Sequence, residues 1–289
     1  MIYYQYFFGG CSLAIGVQNE VEEQKRFELF KYYKKESVQS KVVFYSKKEL
    51  PEIEGIDLVT EEDAIYSEYK IGNKYIRTFH GNGTKEPYAI LEKTNEKCWR
   101  CSYLEEFGDR FQTIGDLFGY IALERILLNQ NAGILHASFV KVNGEGILFT
   151  GSSGSGKSTQ AEMWRKYQQA DIINGDKTIL KKQNGRWYAF GSPYAGSSRI
   201  WRNECAPIKA IVFLGKDPDT DKCFRLEGVD AFRVIYSNLT MNIWNKDYMN
   251  KTMEFVQEIC MQIPIFYLQC RPEKSATECL KRCIEKRET

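Results

Sequence analysis

Two kinds of hydrophobic spacing divide the chain. In the first part, short runs rich in β-branched and aromatic residues predict strands at Ile2–Phe8, Cys11–Val17, Lys41–Tyr45, Ile71–Phe79 and Tyr88–Leu91. Gly9-Gly10 joins the first two, and Gly81-Asn82-Gly83 marks a turn further on. Glu22–Lys35 is charged with spaced Phe and Tyr and predicts a short helix. From Thr113 the period changes. Ile114, Leu117, Phe118, Ile121 and Leu128 recur at helical steps, which predicts a single helix over Thr113–Asn129 with one buried face. Two hairpins follow, Ile134–Val142 with Gly146–Thr150 around Asn143-Gly144, and Thr178–Lys182 with Arg186–Phe190 around Asn184-Gly185. Asn-Gly accepts the positive φ angles of a two-residue turn. Ala210–Leu214 and Ile265–Gln269 are further apolar strands, and Asp230–Trp244 and Tyr248–Ile263 are helical in pattern. A last helix is predicted from Ser275, where Ser275 and Glu278 have the spacing of a capping box.

Strands alternating with helices in the later part indicate an α/β, or mixed α+β, class. The change of pattern suggests two domains, a β-rich one over residues 1–112 and a second over residues 113–289.

Composition narrows the functional classes. The 289 residues are 43% hydrophobic, which excludes wholesale disorder. Forty Lys and Arg against 38 Asp and Glu leave a net charge of +2, so no nucleic-acid partner is expected. No stretch reaches the ~20 apolar residues that cross a bilayer, so no membrane span is expected. Met1–Asn19 is uncharged but lacks a basic start, and Gln5, Gly9, Gly10 and Ser12 interrupt it, unlike a secretion signal. Nine cysteines without an export signal then point to the reducing cytoplasm. Cys98 and Cys101 have CxxC spacing, but zinc would need two more ligands and the whole chain holds only His80 and His136. Two unrelated thiols are expected. The sequence is compatible with a homo-oligomer and does not specify one.

The chemistry concentrates in residues 151–159, Gly-Ser-Ser-Gly-Ser-Gly-Lys-Ser-Thr, which fit G-x-x-x-x-G-K-[ST] at every fixed position. Gly151, Gly154 and Gly156 allow positive φ, so that successive N–H groups, with those of Ser152, Ser153 and Ser155, turn toward one anion. The helix expected from Lys157 adds its positive end. Lys157 supplies a cation for the β- and γ-phosphates, Ser158 a hard oxygen for Mg²⁺, and Thr159 a donor for the α-phosphate. Strand before and helix after complete the context for a nucleotide site.

Phosphoryl transfer also needs an acidic metal ligand. Asp176, at the end of the apolar run Ile172-Ile173-Asn174-Gly175, is the first choice, with Asp217 and Asp171 as alternatives. His136 lies on the strand before the P-loop strand; it is either near the phosphates or a satisfied core residue. The segment from Gly191 to Asn203 carries small residues with Arg199 and Arg202, either a surface loop or one that brings an arginine to transition-state charge.

Taken together, Leu135-His136-Ala137-Ser138, Gly146 through Thr159, and Ile172 through Asp176 resemble the HPr kinase/phosphorylase C-terminal domain family, related to the phosphoenolpyruvate carboxykinase fold. Gly191–Ser198 and Ala206–Leu214 resemble its diverged bacterial branch, whose members often accompany peptide-modification genes. The likeness covers about residues 130–215 well, the rest of the C-terminal part loosely, and residues 1–112 not at all. It implies a P-loop kinase domain of that type behind a β-rich accessory or substrate-recognition domain. The implied reaction is ATP- and Mg²⁺-dependent phosphorylation of a serine-like hydroxyl on a peptide, protein or small molecule, with Lys157, Ser158 and Asp176 holding MgATP. His136 would sit in the active site, and Arg199 or Arg202 on the transferring group or substrate. One departure stands out. The family has two adjacent aspartates at the acidic site, and here the first is Gly175. A nucleotide-binding regulator that has lost catalysis is the alternative.

Overall fold

Alternation of buried and exposed side chains shapes both halves of the computed structural model. It describes every residue except 34–37, 54–56, 61–65, 72–73, 82–83, 85, 218, 242–245 and 286–289, and only the backbone of 57–60, 70, 71 and 74. The turn expected at Asn82-Gly83 and residues 242–244 of the helix expected over Asp230–Trp244 lie outside the described residues; that helix already ends at Asn238, and Leu239–Thr240 form a short strand instead. Residue contacts divide the chain into two units, one formed mainly by Met1–Phe7 and Cys11–Ile126, the other by Phe8–Gly10, Leu127–Asn242 and Lys246–Thr289.

The first unit carries β1 (Ile2–Phe8), β2 (Cys11–Val17), β3 (Ser40–Lys47), β4 (Asp57–Thr60), β5 (Tyr66–Ile71), β6 (Lys74–His80), β7 (Pro87–Lys93) and β8 (Cys98–Leu104). They form one sheet in the order β1-β2-β3-β8-β7-β6-β5-β4. Helical content is small: α1 is only Lys25–Glu28. The single helix expected at Thr113–Asn129 is two, α2 (Ile114–Gly119) and α3 (Leu123–Leu128). Thr113 and Asp116 cap α2 reciprocally, Asp116 N donating to Thr113 Oγ1 and Thr113 N to Asp116 Oδ2. The break falls at Tyr120. Its ring is drawn against Phe111 (4.3 Å) and Phe79 (4.9 Å), and its hydroxyl lies 3.0 Å from that of Tyr88. Aromatic burial overrides helix continuity there. Cys98 and Cys101, three apart on β8, point to opposite faces and are free thiols.

The second unit holds β9 (Ala132–Val142), β10 (Glu145–Thr150), α4 (Lys157–Gln168), β11 (Asp171–Asn174), β12 (Lys177–Gln183), β13 (Arg186–Phe190) and β14 (Cys205–Lys216). After them come β15 (Lys222–Leu226), α5 (Gly228–Asn238), β16 (Leu239–Thr240), α6 (Lys246–Gln262), β17 (Ile265–Cys270) and α7 (Lys274–Glu285). Both Asn-Gly hairpins form, with Asn143 and Asn184 at φ near +50°. The sheet runs β10-β9-β12-β13-β14-β17-β15, and β10 also pairs with β14, so part of it closes on itself. Beside β10, β14 and β17 are parallel to it and to each other. Period-two burial assigns the faces. Leu135, Ala137, Phe139 and Leu148 face the core made with α5 and α6, whereas Val140, Ile147 and Phe149 pack with Ala161 and Trp164 of α4 and Leu280 and Ile284 of α7. Helix α7 begins at Lys274, one residue ahead of the predicted capping serine. Ser275 Oγ is buried without a partner and Glu278 pairs with Lys274, so the expected capping box does not form.

Candidate functional site

The loop between β10 and α4 is built as its residues require. Gly151, Gly154 and Gly156 stand at φ of +145°, +74° and +101°, conformations that a side chain would strain. A Cβ on Gly154 or Gly156 would meet nothing within 4 Å, so these backbones border open space rather than core. Gly156 caps α4, whose first-turn N–H groups lack an acidic residue to satisfy them. Lys157 bends back over the loop and donates through Nζ to Gly151 O (2.9 Å) and Ser152 O (3.1 Å). Only 8% of Lys157 is exposed. Burial lowers its pKa from the usual 10.5, and nearby Asp176 offsets that in part. Ser158 and Thr159 are exposed beside it. Ser155 Oγ is buried without a hydrogen-bond partner.

Asp176 reaches this place through a bulge. β11 and β12 both pair antiparallel with β9, and the chain between them loops out at Gly175-Asp176. Asn174 fixes the loop. Its Oδ1 accepts from the N–H groups of Asp176 and Lys177, both at 2.9 Å, and its Nδ2 donates to Ser192 O (3.0 Å) and Tyr194 O (2.8 Å). From β9, Ala137 N donates to Asp176 O and Ser138 Oγ to Gly175 O. The alternation that sends Leu135 and Ala137 into one core puts His136 on the opposite face, the α4 side. There His136 Nε2 lies 3.0 Å from Asp176 Oδ1, with His136 39% and Asp176 26% exposed. Thr150 Oγ1, at the end of the P-loop strand, donates to His136 O at 2.9 Å. Lys157, His136 and Asp176 therefore converge, and His136 is not a core residue.

Gly175 has no room for a side chain. A Cβ there would lie 1.8 Å from Ser198 Oγ and 3.3 Å from Ala195 O. The same loop touches Asp176, since a Cβ on Gly196 would fall 2.9 Å from Asp176 Cγ. A 3-10 turn, Gly196–Ser198, ends at Arg199, which is exposed and left-handed at φ +53°. Arg199 thus follows directly on residues that contact the acidic loop.

The other sequence candidates have partners of their own. Arg202 is paired with Asp171 (3.1 Å) and lies 3.6 Å from Glu204. Asp171 is in register with Lys141, five residues along β9 from His136 and so roughly 17 Å away. Arg202 and Asp171 therefore belong to a surface ion network that also contains Lys141 and Glu204, not to the P-loop mouth. Asp217 is turned into its own loop. The N–H groups of Asp219 and Thr220 donate to Oδ1 and hold its pKa below the ordinary carboxylate value. Asn174, Ser192 and Lys177 carry no motif that marks them in the sequence. Asn-Gly-Asp is a turn sequence whose Asn side chain can replace backbone acceptors, and that was the available signal.

Beside the loop lies a cleft of about 590 Å³. Gly154–Gly156, Thr159 and Gln160 form one wall; Gly215–Asp217 and Cys270–Glu273 form the other. These are the carboxyl ends of β10, β14 and β17, where parallel sheets present their ligand crevices. Among the described residues no three His, Cys, Asp or Glu side chains form a metal cluster. Ser158 and Asp176 offer instead two hard oxygens, which fits Mg²⁺, an ion normally held by one or two protein ligands and by phosphate. No helix among the described residues is long and apolar enough to cross a membrane.

No family model matches the chain, and no curated protein sequence does. Among solved structures, the HPr(Ser) kinase/phosphatase from Coxiella burnetii is distantly similar, with 13% identity over 54% of this chain and 90% of that one and a TM-score of 0.32.

Proposed function

We propose that this chain binds ATP with Mg²⁺ and transfers the γ-phosphoryl group to a serine-like hydroxyl of a peptide, protein or small molecule. The observation that carries the reading is the convergence of the P-loop and its buried Lys157 with the His136–Asp176 pair on one face of the sheet. Loop amides and Lys157 would hold the phosphates, and the adjoining cleft is large enough for a nucleoside. Ser158 and Asp176 Oδ2 would hold Mg²⁺, which neutralises charge on the β- and γ-phosphates when bound. Asp176 Oδ1, 3.0 Å from His136 Nε2, would favour a proton on that nitrogen. Nδ1 is then the lone pair that can take the acceptor's hydroxyl proton. The hydroxyl oxygen forms its bond to γ-phosphorus as the bond to the β–γ bridging oxygen breaks and ADP leaves. His136 thereby takes the place of the aspartate that Gly175 cannot be. The β-rich first unit is the candidate accessory or substrate-recognition part.

Gly175 favours one other reading, a nucleotide-binding regulator or accessory protein without catalysis. Incubation with γ-labelled ATP, Mg²⁺ and candidate acceptors separates the two. Label transfer that falls in Asp176→Asn supports the kinase. ATP binding with neither transfer nor hydrolysis, indifferent to Asp176→Asn, supports the regulator.

A further inference from the structure

Around the second unit's sheet, cations generally have carboxylates. Lys182 pairs with Glu258, Lys209 and Arg186 with Glu145, Arg202 with Asp171, and Lys141 with Glu204. Lys216, on the cleft wall beside the P-loop, has no ion pair among the described residues, and neither do two cations beside the His136–Asp176 pair. Among the described residues neither Lys177 nor Arg199 has an ion pair. Lys177 stands directly opposite His136 in the antiparallel β9–β12 pair, so both side chains project on the same face. Its Nζ lies over the Tyr194 ring, 5.3 Å from the centroid. Tyr194 is itself tied through its carbonyl to Asn174, which shapes the acidic loop. Arg199 follows Ser198 and Gly196, which abut Gly175 and Asp176.

Position separates these two from the phosphate cradle. The sheet order is β10, β9, β12, with the P-loop at the end of β10 and His136 on β9. Lys177 on β12 is thus two strands beyond the P-loop strand, roughly 10 Å across, with His136 between. Lys157 and the loop amides already serve the phosphate side. The two unspent cations flank the side from which an acceptor hydroxyl must approach. Because His136 and Asp176 are partly exposed, a hydroxyl carried on a polypeptide can reach them.

We infer that Lys177 and Arg199 form an anion-reading site for the acceptor, and that the acceptor is a peptide segment with carboxylates next to its serine-like hydroxyl. This rests on the kinase reading for its direction of approach, but its test does not need turnover. Fluorescein-labelled serine peptides flanked by Asp, by Gln or by Lys are titrated into the full chain without nucleotide and followed by anisotropy. ATP affinity is measured on the same preparations by calorimetry. The Asp-flanked peptide is expected to bind about tenfold more tightly than the Gln-flanked one at low salt, and the gap to narrow as salt rises. In Lys177→Ala/Arg199→Ala the two peptides should come within about twofold of each other. In Lys177→Glu/Arg199→Glu the Lys-flanked peptide should be preferred. Equal binding of all three peptides by the wild type, or an acidic preference that survives the alanine pair, overturns the inference and leaves the nucleotide reading intact. An acidic preference without any ATP binding sinks the kinase reading and leaves the anion site standing.

Discussion

Each unit contains a cluster of charged side chains, and the two are built on opposite plans. In the first unit Glu68 is fully buried. It accepts from Arg77 Nη2 (2.7 Å) and Nε (2.9 Å) through one oxygen and from Arg125 Nη2 (2.9 Å) through the other. Arg77 Nη2 also donates to Glu124 at 2.6 Å, and the guanidinium groups of Arg77 and Arg125 lie over Tyr66 and Tyr75. Burial works to lower the Arg77 pKa, yet Glu124 and Glu68 outweigh it and raise it overall. Two carboxylates answer two guanidinium groups, and the network joins β5, β6 and α3. In the second unit Lys157 is buried against carbonyls, His136 and Asp176 share one contact in partial exposure, and Lys177 and Arg199 have no carboxylate. A closed set of charges can hold a fold but has nothing to offer a ligand. An incomplete set costs stability and keeps capacity for an anion.

The sharpest way to break the contrast is to open the closed cluster. Glu68→Ala should strand the buried guanidinium of Arg125, leave Arg77 with Glu124 alone and cost about 3–5 kcal/mol, read by urea unfolding. A loss below about 1 kcal/mol would mean that the network is no more than an exposed-pair equivalent. Closing the open cluster has the reverse signature. Lys157→Ala should weaken ATP binding by about a hundredfold, near 2.7 kcal/mol, with no fall in the unfolding midpoint, because it removes a desolvated amine. Simultaneous loss of affinity and stability would instead make Lys157 a structural residue.

What could be seen in the sequence follows from how local each determinant is. The P-loop was legible because its glycines answer to their own φ angles and its lysine to a loop a few residues away. The Asn-Gly hairpins were legible for the same reason. The ion pair of Arg202 is not legible in the sequence because its partner, Asp171, is thirty-one residues distant. Helix continuity over Thr113–Asn129 failed because Tyr120 is claimed by aromatic rings from Phe79, Tyr88 and Phe111, none of them in the helical window. The role of Asn174 depends on Ser192 and Tyr194, which no spacing rule connects to it.

Gly175 tests whether the missing aspartate is a matter of space. Gly175→Ala should cost about 1–3 kcal/mol in stability, since the added Cβ drives Ser198 and the backbone around Ala195 from the acidic loop. Ser198→Gly in the same chain should recover most of that loss. If Gly175→Ala alone is neutral, the loop has slack and an aspartate could have been accommodated.

The smallest effect concerns one proton. Burial holds the Lys157 pKa below 10.5, and the unfolded chain has the ordinary value. Between the two values the unfolded chain binds more protons, so this residue's penalty shrinks as pH rises through that window; below both, the penalty is fully present. A bound polyphosphate supplies the counter-charge that Asp176 supplies only in part, and so raises the pKa. ATP binding should therefore take up a fraction of a proton in the alkaline window and none from Lys157 near neutrality. Calorimetry in two buffers of different ionisation heat measures the uptake directly. Lys157→Arg, which keeps the charge but cannot release it, should abolish the uptake. Uptake that persists in that variant would assign the proton to another group, and with it the claim that Lys157 is the unsatisfied charge of the site.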